Sequence, residues 1–217
     1  MISKKAKLIV LMPPKTGSQS LTESLLDSSI NFEEFTSCFS YPTIHLFLSE
    51  LVNEFEITNL DEYKIVQVVR NPFDRFVSSY YHQIKILPQN HPLKSLEINE
   101  FAKHFYQSLI SEDFLNNFYG DTTFIKRAIQ NGKSWGGSRT YLSQYQWHDL
   151  DAKVEYFKLE DISKDIKPLS DYIGVYLPSM ETKNTNKIEV DYDKALNDNM
   201  KKMVNYVYQN DFALFNY

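Results

Sequence analysis

Two short stretches of the chain carry residues able to grip an anion. Pro14-Lys15-Thr16-Gly17-Ser18-Gln19-Ser20-Leu21 combines an ammonium, hydroxyls and a glycine. Arg70-Asn71-Pro72-Phe73-Asp74-Arg75-Phe76-Val77-Ser78-Ser79-Tyr80 combines guanidinium groups with serine hydroxyls. Each stretch follows an apolar, strand-like run and turns into a helical pattern. The first N–H groups of a helix have no intrahelical acceptor and sit at the positive end of its dipole, so such a junction attracts phosphate. Gly17 lets the backbone approach a ligand closely and take angles closed to other residues. Ser18 and Ser20 add hydroxyl donors, and Lys15 places charge at the mouth of the turn. In the second stretch Arg70 can hold a phosphate through paired N–H bonds. Ser78 follows Pro72 by six residues, roughly 9 Å along a helix axis and within reach of the long Arg70 side chain. Arg75 and Asp74 read as a structural ion pair near the helix start. Two cradles of this kind fit one doubly phosphorylated nucleotide.

The order of residues narrows the chemistry. An ATP-binding loop has the pattern G-x-x-x-x-G-K-[ST], with its lysine after the second glycine. Here Lys15 precedes Gly17 and no glycine lies upstream of it. Magnesium-dependent P-loop enzymes commonly end the comparable second strand in a metal-binding Asp. Arg70 at that place favours direct pairing with an anion and no metal. A P-loop kinase and a non-catalytic nucleotide-binding scaffold stay open as alternatives to a group-transfer enzyme.

The elements that must position these residues follow from periodicity. Leu8-Ile9-Val10-Leu11-Met12, Ile65-Val66-Gln67-Val68-Val69 and Val154-Glu155-Tyr156-Phe157-Lys158-Leu159 read as strands, the first two apolar on both faces as in a covered parallel sheet. Helical spacing marks Ser18 to Leu26, Thr43 to Phe55 and Pro72 to Ile86, with Pro72 suited to a first helical turn. Further helical patterns lie near Ile98–Ile110 and Thr122–Ile129. Asp161 reads as a cap before Ile162, Ile166, Leu169 and Ile173. A last helix carries Leu196, Met200, Met203, Val204 and Val207. Asn131 to Ser138 holds Trp135 among glycines and reads equally as a lid or a plain connector. Strands separated by helices predict an α/β, three-layer sandwich around a mainly parallel sheet.

Bulk properties agree with one soluble domain over residues 1–217. The net charge of −5 argues against a nucleic-acid partner and for a small anionic ligand held by local basic groups. Cys38 is the single cysteine, so no intrachain disulfide forms, as expected in the cytoplasm. The apolar run after the basic Met1 to Lys7 is too short to span a membrane.

The two cradles, in this order, resemble the 5′-phosphosulfate loop and the 3′-phosphate motif of sulfotransferases that use 3′-phosphoadenosine 5′-phosphosulfate (PAPS). The likeness continues through Ser143-Gln144-Tyr145-Gln146-Trp147 and Tyr156 to Ile162, which look like the central stretch of carbohydrate-type members, and through the ending Asp211 to Tyr217. It is weakest between about Leu87 and Thr140. Without a membrane anchor, the chain looks more like soluble bacterial or viral-type members. Asn184-Thr185-Asn186-Lys187 stands where relatives often carry an Asn-x-Ser element.

The resemblance implies a P-loop nucleotide-binding-like sulfotransferase fold, PAPS as donor and its desulfated form, PAP, as product. It implies that Lys15, Thr16, Gly17, Ser18, Gln19 and Ser20 wrap the 5′-phosphosulfate. Arg70 and Ser78 would bind the 3′-phosphate, and Asn184 and Lys187 would lie in a loop closing over the nucleotide. Sulfuryl transfer needs acceptor oxygen, sulfur and leaving oxygen in line, with charge stabilised on the leaving oxygen. Lys15 is expected to do this without a metal. The acceptor hydroxyl needs a base, and a histidine exchanges protons near neutral pH. His45 matches in position a histidine that follows the first helix in many relatives; Glu33 and Glu34 are the alternatives. His82, His91, His104 and His148 read as surface or packing residues. A carbohydrate acceptor is expected from the resemblance alone, and sequence distinguishes neither glycan from small molecule nor monomer from oligomer.

Overall fold

The computed structural model describes residues 1–33, 45–86, 89–90, 92–103, 140, 142–180 and 191–217. They form two compact units. The first gathers the described residues of Met1–Ser37, Tyr41–Asn71 and Gln144–Glu189, and the second those of Pro72–Ser143 and Val190–Tyr217.

The first unit is built on a four-stranded sheet in the order β1 (Ile2–Ser3), β2 (Leu8–Leu11), β3 (Lys64–Val69) and β4 (Val154–Lys158). β1 runs antiparallel to β2, with Ser3 opposite Leu8. β2 to β3 and β3 to β4 are parallel, with Val10 opposite Val66 and Val68 opposite Phe157. The expected strands and the mainly parallel sheet are therefore present; β1 is an addition, because a two-residue strand has no readable period. Parallel neighbours put β2, β3 and β4 in register so that their C-terminal ends leave the sheet on one edge.

Alternation along the strands sorts the core into two faces. Leu8, Val10 and Met12 of the first strand segment, with Val66 and Val68, pack against Leu21 and Leu25 of α1 (Ser18–Leu26). The same cluster takes in Ile162 of α4 (Leu159–Ile162) and Leu169 and Ile173 of α5 (Lys167–Ile173). Burying each such aliphatic side chain is worth about 1.5–3 kcal/mol. On the opposite face, Gln67 Nε2 donates to the Gln144 carbonyl at 2.7 Å, so the 3₁₀ turn Gln144–Trp147 lies there. Phe47, next to α2 (Leu48–Glu54), meets the Trp147 ring at 5.0 Å between centroids. Helical elements thus cover both faces of the sheet within this unit.

Some boundaries differ from the periodicity. Among the described residues of the stretch read from Thr43 to Phe55, the helix covers Leu48–Glu54, and Asp149 accepts from the Ser49 N–H (2.8 Å) and hydroxyl in its first turn. Asp161 caps nothing. It lies inside α4, and its carbonyl accepts from Lys164 and Asp165 N–H at 3.0 Å, closing a turn before α5 starts separately with a Pro in its first turn. The segments Thr122–Ile129 and Asn131–Ser138 lie outside the described residues.

The second unit is helical among its described residues. α3 (Pro72–Ile86) contributes Phe76, Val77 and Tyr80 to a cluster with Ile98, Phe101 and Ala102. Leu196, Met200 and Val204, the last two from α7 (Asp198–Val207), complete that core on the expected apolar spacing. Asn197 caps α7 by accepting from Met200 N–H at 3.0 Å. The short α6 (Tyr192–Ala195) brings Tyr192 onto Phe73 at 5.3 Å, and α8 (Gln209–Phe215) brings Phe212 to the same ring at 4.9 Å.

Candidate active site

The first cradle is a left-handed turn. β2 ends at Leu11, and Pro13 and Pro14 block further ladder pairing. Lys15 then takes φ 70° and Gly17 φ 75°, both in the left-handed region. For Gly17 this costs little, whereas for Lys15 it costs on the order of 1–2 kcal/mol. Thr16 lies between them, fully buried, and its hydroxyl donates to the Pro13 carbonyl at 2.7 Å. Its side chain closes the turn. Gly17 is the N-cap of α1, and the first intrahelical bond runs from Leu21 N–H to Gly17 O at 3.1 Å. The N–H groups of Ser18, Gln19 and Ser20 precede that bond and have no intrahelical acceptor. Ser18 and Ser20 are buried and Gln19 is exposed. A second demand on Gly17 is space, since a Cβ there would sit 2.5 Å from Leu159 Cδ1.

The second cradle begins where β3 stops. Arg70, one residue past the ladder, extends its guanidinium to the first loop, with Nη1 donating to the Lys15 carbonyl at 3.3 Å. The ends of two neighbouring parallel strands are thereby joined through a cation and a left-handed carbonyl. Arg70 N–H donates to Gln144 Oε1 and Gln144 Nε2 donates back to Arg70 O, each at 2.8 Å. Asn71 N–H donates to Glu160 Oε1 at 2.7 Å. Arg70 lies in the first unit and Ser78, half-buried on α3, in the second. Arg75 is structural: fully buried, it donates to the carbonyls of Leu142 (2.8 Å) and Thr140 (3.0 Å).

His45 is half-buried in a turn, with Nδ1 2.7 Å from the Met12 carbonyl. A carbonyl only accepts, so Nδ1 carries the proton there and Nε2 carries the lone pair in the neutral ring. Met12 lies three residues before Lys15, which brings His45 to the edge of the sheet where β2 leaves it. Glu33 is at the other edge. Its backbone N–H donates to Ile2 O at 2.8 Å, and its carboxylate accepts from Lys4 N–H at 3.2 Å, near the start of β2. Glu34, Asn184 and Lys187 lie outside the described residues, as do His91 and His104. His148 is a packing residue within hydrogen-bond distance of Gln67 Oε1 (3.3 Å) and the Tyr156 hydroxyl, and burial holds its pKa below the ordinary value. His82 is half-buried on α3.

Spacing alone gives Gln144 and Glu160 no role. Both lie in the stretches that resemble carbohydrate-type members, and Gln67, a polar side chain inside an otherwise apolar strand, is a further signal, since a buried amide demands interior partners. Among the described residues no group of three or more His, Cys, Asp or Glu side chains is placed to hold a metal, and no helix is long and apolar enough to cross a membrane.

No curated protein matches the chain. Among solved structures it is similar to mouse sulfotransferase SULT7A1 in complex with PAP, at 13% identity and a TM-score of 0.50, over 98% of this chain and 86% of that one. It is also similar to a sulfotransferase from Alicyclobacillus acidocaldarius, at 14% identity and a TM-score of 0.44, over 95% of this chain and 92% of that one. At such identities the mouse structure speaks for the fold. The family itself is established by sequence: a family model described as "Sulfotransferase family" matches residues 1–217, and the chain belongs to the sulfotransferase family.

Proposed function

We propose that this sulfotransferase moves a sulfuryl group from PAPS to a hydroxyl of a carbohydrate acceptor, releasing PAP, with residues 1–217 acting as one catalytic domain. One observation carries the donor assignment. Arg70 Nη1 rests on the carbonyl of left-handed Lys15, so two anion-seeking strand ends meet at one edge of a parallel sheet. A donor with phosphate at both its 3′ and 5′ positions matches that pair, and the mouse neighbour was solved with PAP.

In this reading the N–H groups of the Gly17–Ser20 turn and the Ser18 and Ser20 hydroxyls hold the 5′ end. Gln19, the exposed member, contributes its N–H. Lys15 stabilises the charge that grows on the bridging oxygen as the S–O bond breaks. His45 Nε2 takes the acceptor hydroxyl proton, with the Met12 carbonyl holding the ring by Nδ1–H. Arg70 pairs with the 3′-phosphate, Ser78 adds a hydroxyl, and Asn184 and Lys187 close over the nucleotide. The carbohydrate acceptor rests on the resemblance of the Ser143 to Trp147 and Tyr156 to Ile162 stretches to carbohydrate-type members. A cytoplasmic site of action rests on the lone Cys38.

The test is calorimetric titration with PAP followed by transfer from radiolabelled PAPS to a panel of glycans, phenols and lipids. PAP binding with a labelled glycan is expected. PAP binding without turnover on any acceptor would make the protein a nucleotide-binding scaffold, and magnesium-dependent ATP binding without PAP binding would make it a kinase.

A further inference from the structure

Arg70 stands one residue beyond the last residue of β3, where the ladder no longer determines its backbone. Its N–H and C=O are nevertheless both satisfied, by one side chain. Gln144 accepts from Arg70 N–H through Oε1 and donates to Arg70 O through Nε2, each at 2.8 Å. This is the two-bond exchange that an antiparallel neighbour strand would offer, supplied by a primary amide. Only an amide side chain of this length can accept and donate at once across a planar end; a carboxylate only accepts and an ammonium only donates.

Gln144 is itself fixed. It is fully buried, and its own carbonyl accepts from Gln67 Nε2 at 2.7 Å, while Gln67 is fully buried in β3. The next residue along, Asn71, has its N–H held by Glu160 Oε1 at 2.7 Å. The arginine that leaves this clamp is only half-buried. Its guanidinium makes one bond to the described residues, from Nη1 to Lys15 O. A rigid backbone beneath a guanidinium with N–H groups to spare is the arrangement expected where a side chain must be aimed at a ligand without losing binding energy to ordering.

We propose that Gln144 is a positioning residue for nucleotide binding, acting through Arg70: by pairing with both backbone groups of Arg70 it aims the guanidinium at the phosphate. This rests on the assignment of PAP and PAPS as ligands. Its effect belongs to nucleotide affinity and to the KM for PAPS, not to proton removal from the acceptor.

The experiment is a double-mutant cycle on the full chain, read by calorimetric titration with PAP. The variants are Gln144→Met, Arg70→Ala and the two combined. Gln144→Met keeps the length and removes both bonds, and is expected to weaken PAP binding about tenfold. In the Arg70→Ala background the same change is expected to have almost no further effect, because the aimed group is gone. With wild-type turnover measurable, Gln144→Met should raise the KM for PAPS and leave kcat nearly intact. If Gln144→Met does not fold, Gln144→Glu serves the same cycle; it preserves shape and the acceptor for Arg70 N–H but sets an oxygen against Arg70 O. Equal weakening in both backgrounds overturns the inference, because Gln144 then acts independently of Arg70. So does unchanged affinity in Gln144→Met, or an Arg70→Ala variant that binds PAP like wild type. Failure of the wild-type protein to bind PAP would instead remove the functional reading on which the inference stands.

Discussion

The turn after β2 and the turn after β3 leave the same edge of one sheet, yet they are built in opposite ways. The first is made by the chain from itself. Pro13, Lys15, Thr16 and Gly17 close it within five residues through a hydroxyl-to-carbonyl bond and two left-handed backbone conformations. The second is made by remote residues. Arg70 and Asn71 have torsions supported by Gln144 and Glu160, which stand 74 and 89 positions away from their respective partners. A turn closed by local bonds depends first on its own torsions. A clamped turn depends on the packing of everything between its parts. The first turn stores its chemistry in backbone geometry, the second in tertiary support.

The sharpest way to break it is Lys15→Gly. Glycine prefers the left-handed conformation that Lys15 is forced into, so stability should hold or rise by about 1 kcal/mol, while loss of the ammonium should cost about a hundred- to a thousandfold in turnover. Thermal melting and PAPS-dependent transfer check the two halves. A fully active, folded variant would sink the role given to Lys15.

His45→Ala tests what the first turn presents. Turnover at saturating acceptor should fall about a hundredfold, with PAP affinity unchanged. Near-normal transfer would remove His45 as the base.

Gly17→Ala attacks the first turn where backbone and packing coincide. The φ of 75° and the 2.5 Å approach to Leu159 Cδ1 both oppose a Cβ. Together they should cost about 2–3 kcal/mol in denaturant unfolding. Leu159→Ala in the same chain relieves the overlap but not the torsion, so it should not restore PAP affinity fully. Full recovery would mean that packing alone demands the glycine.

The smallest expected effect concerns acid. Burial depresses the His148 pKa in the folded protein, so below the ordinary histidine range the unfolded chain binds more protons than the folded one. Its contribution is fully present above the unfolded pKa and is lost as pH falls from there toward the folded pKa. His148 contacts Gln67, which in turn holds Gln144, so the acid sensitivity belongs to the support of the second turn. His148→Gln should flatten the fall in melting temperature between about pH 7 and 5. An unchanged slope would place the acid-labile group elsewhere.

The same contrast explains what could be read in advance. Ser18–Leu26 and Pro72–Ile86 have the bounds that apolar spacing predicts, because a helical face and its start signal are local. Thr16 was legible as part of the loop, but its hydroxyl's bond to Pro13 was not, because the motif reports residue types and not which group each one uses. Arg75 reads in the sequence as a structural residue near the helix start, but the carbonyls of Leu142 and Thr140 that its guanidinium reaches are brought to it only by folding.

By itself the sequence determined the family, the parallel strands and the positions of Lys15, Gly17 and Arg70, because each follows from local periodicity or from a contiguous pattern. Tertiary structure alone decided that Arg70 reaches the Lys15 carbonyl, that His45 is held by Met12 while Glu33 lies at the other edge, and that Gln144 holds Arg70 from behind. Those relations join residues up to 74 positions apart, and no spacing rule encodes which distant amide will meet which strand end until the sheet has brought them together.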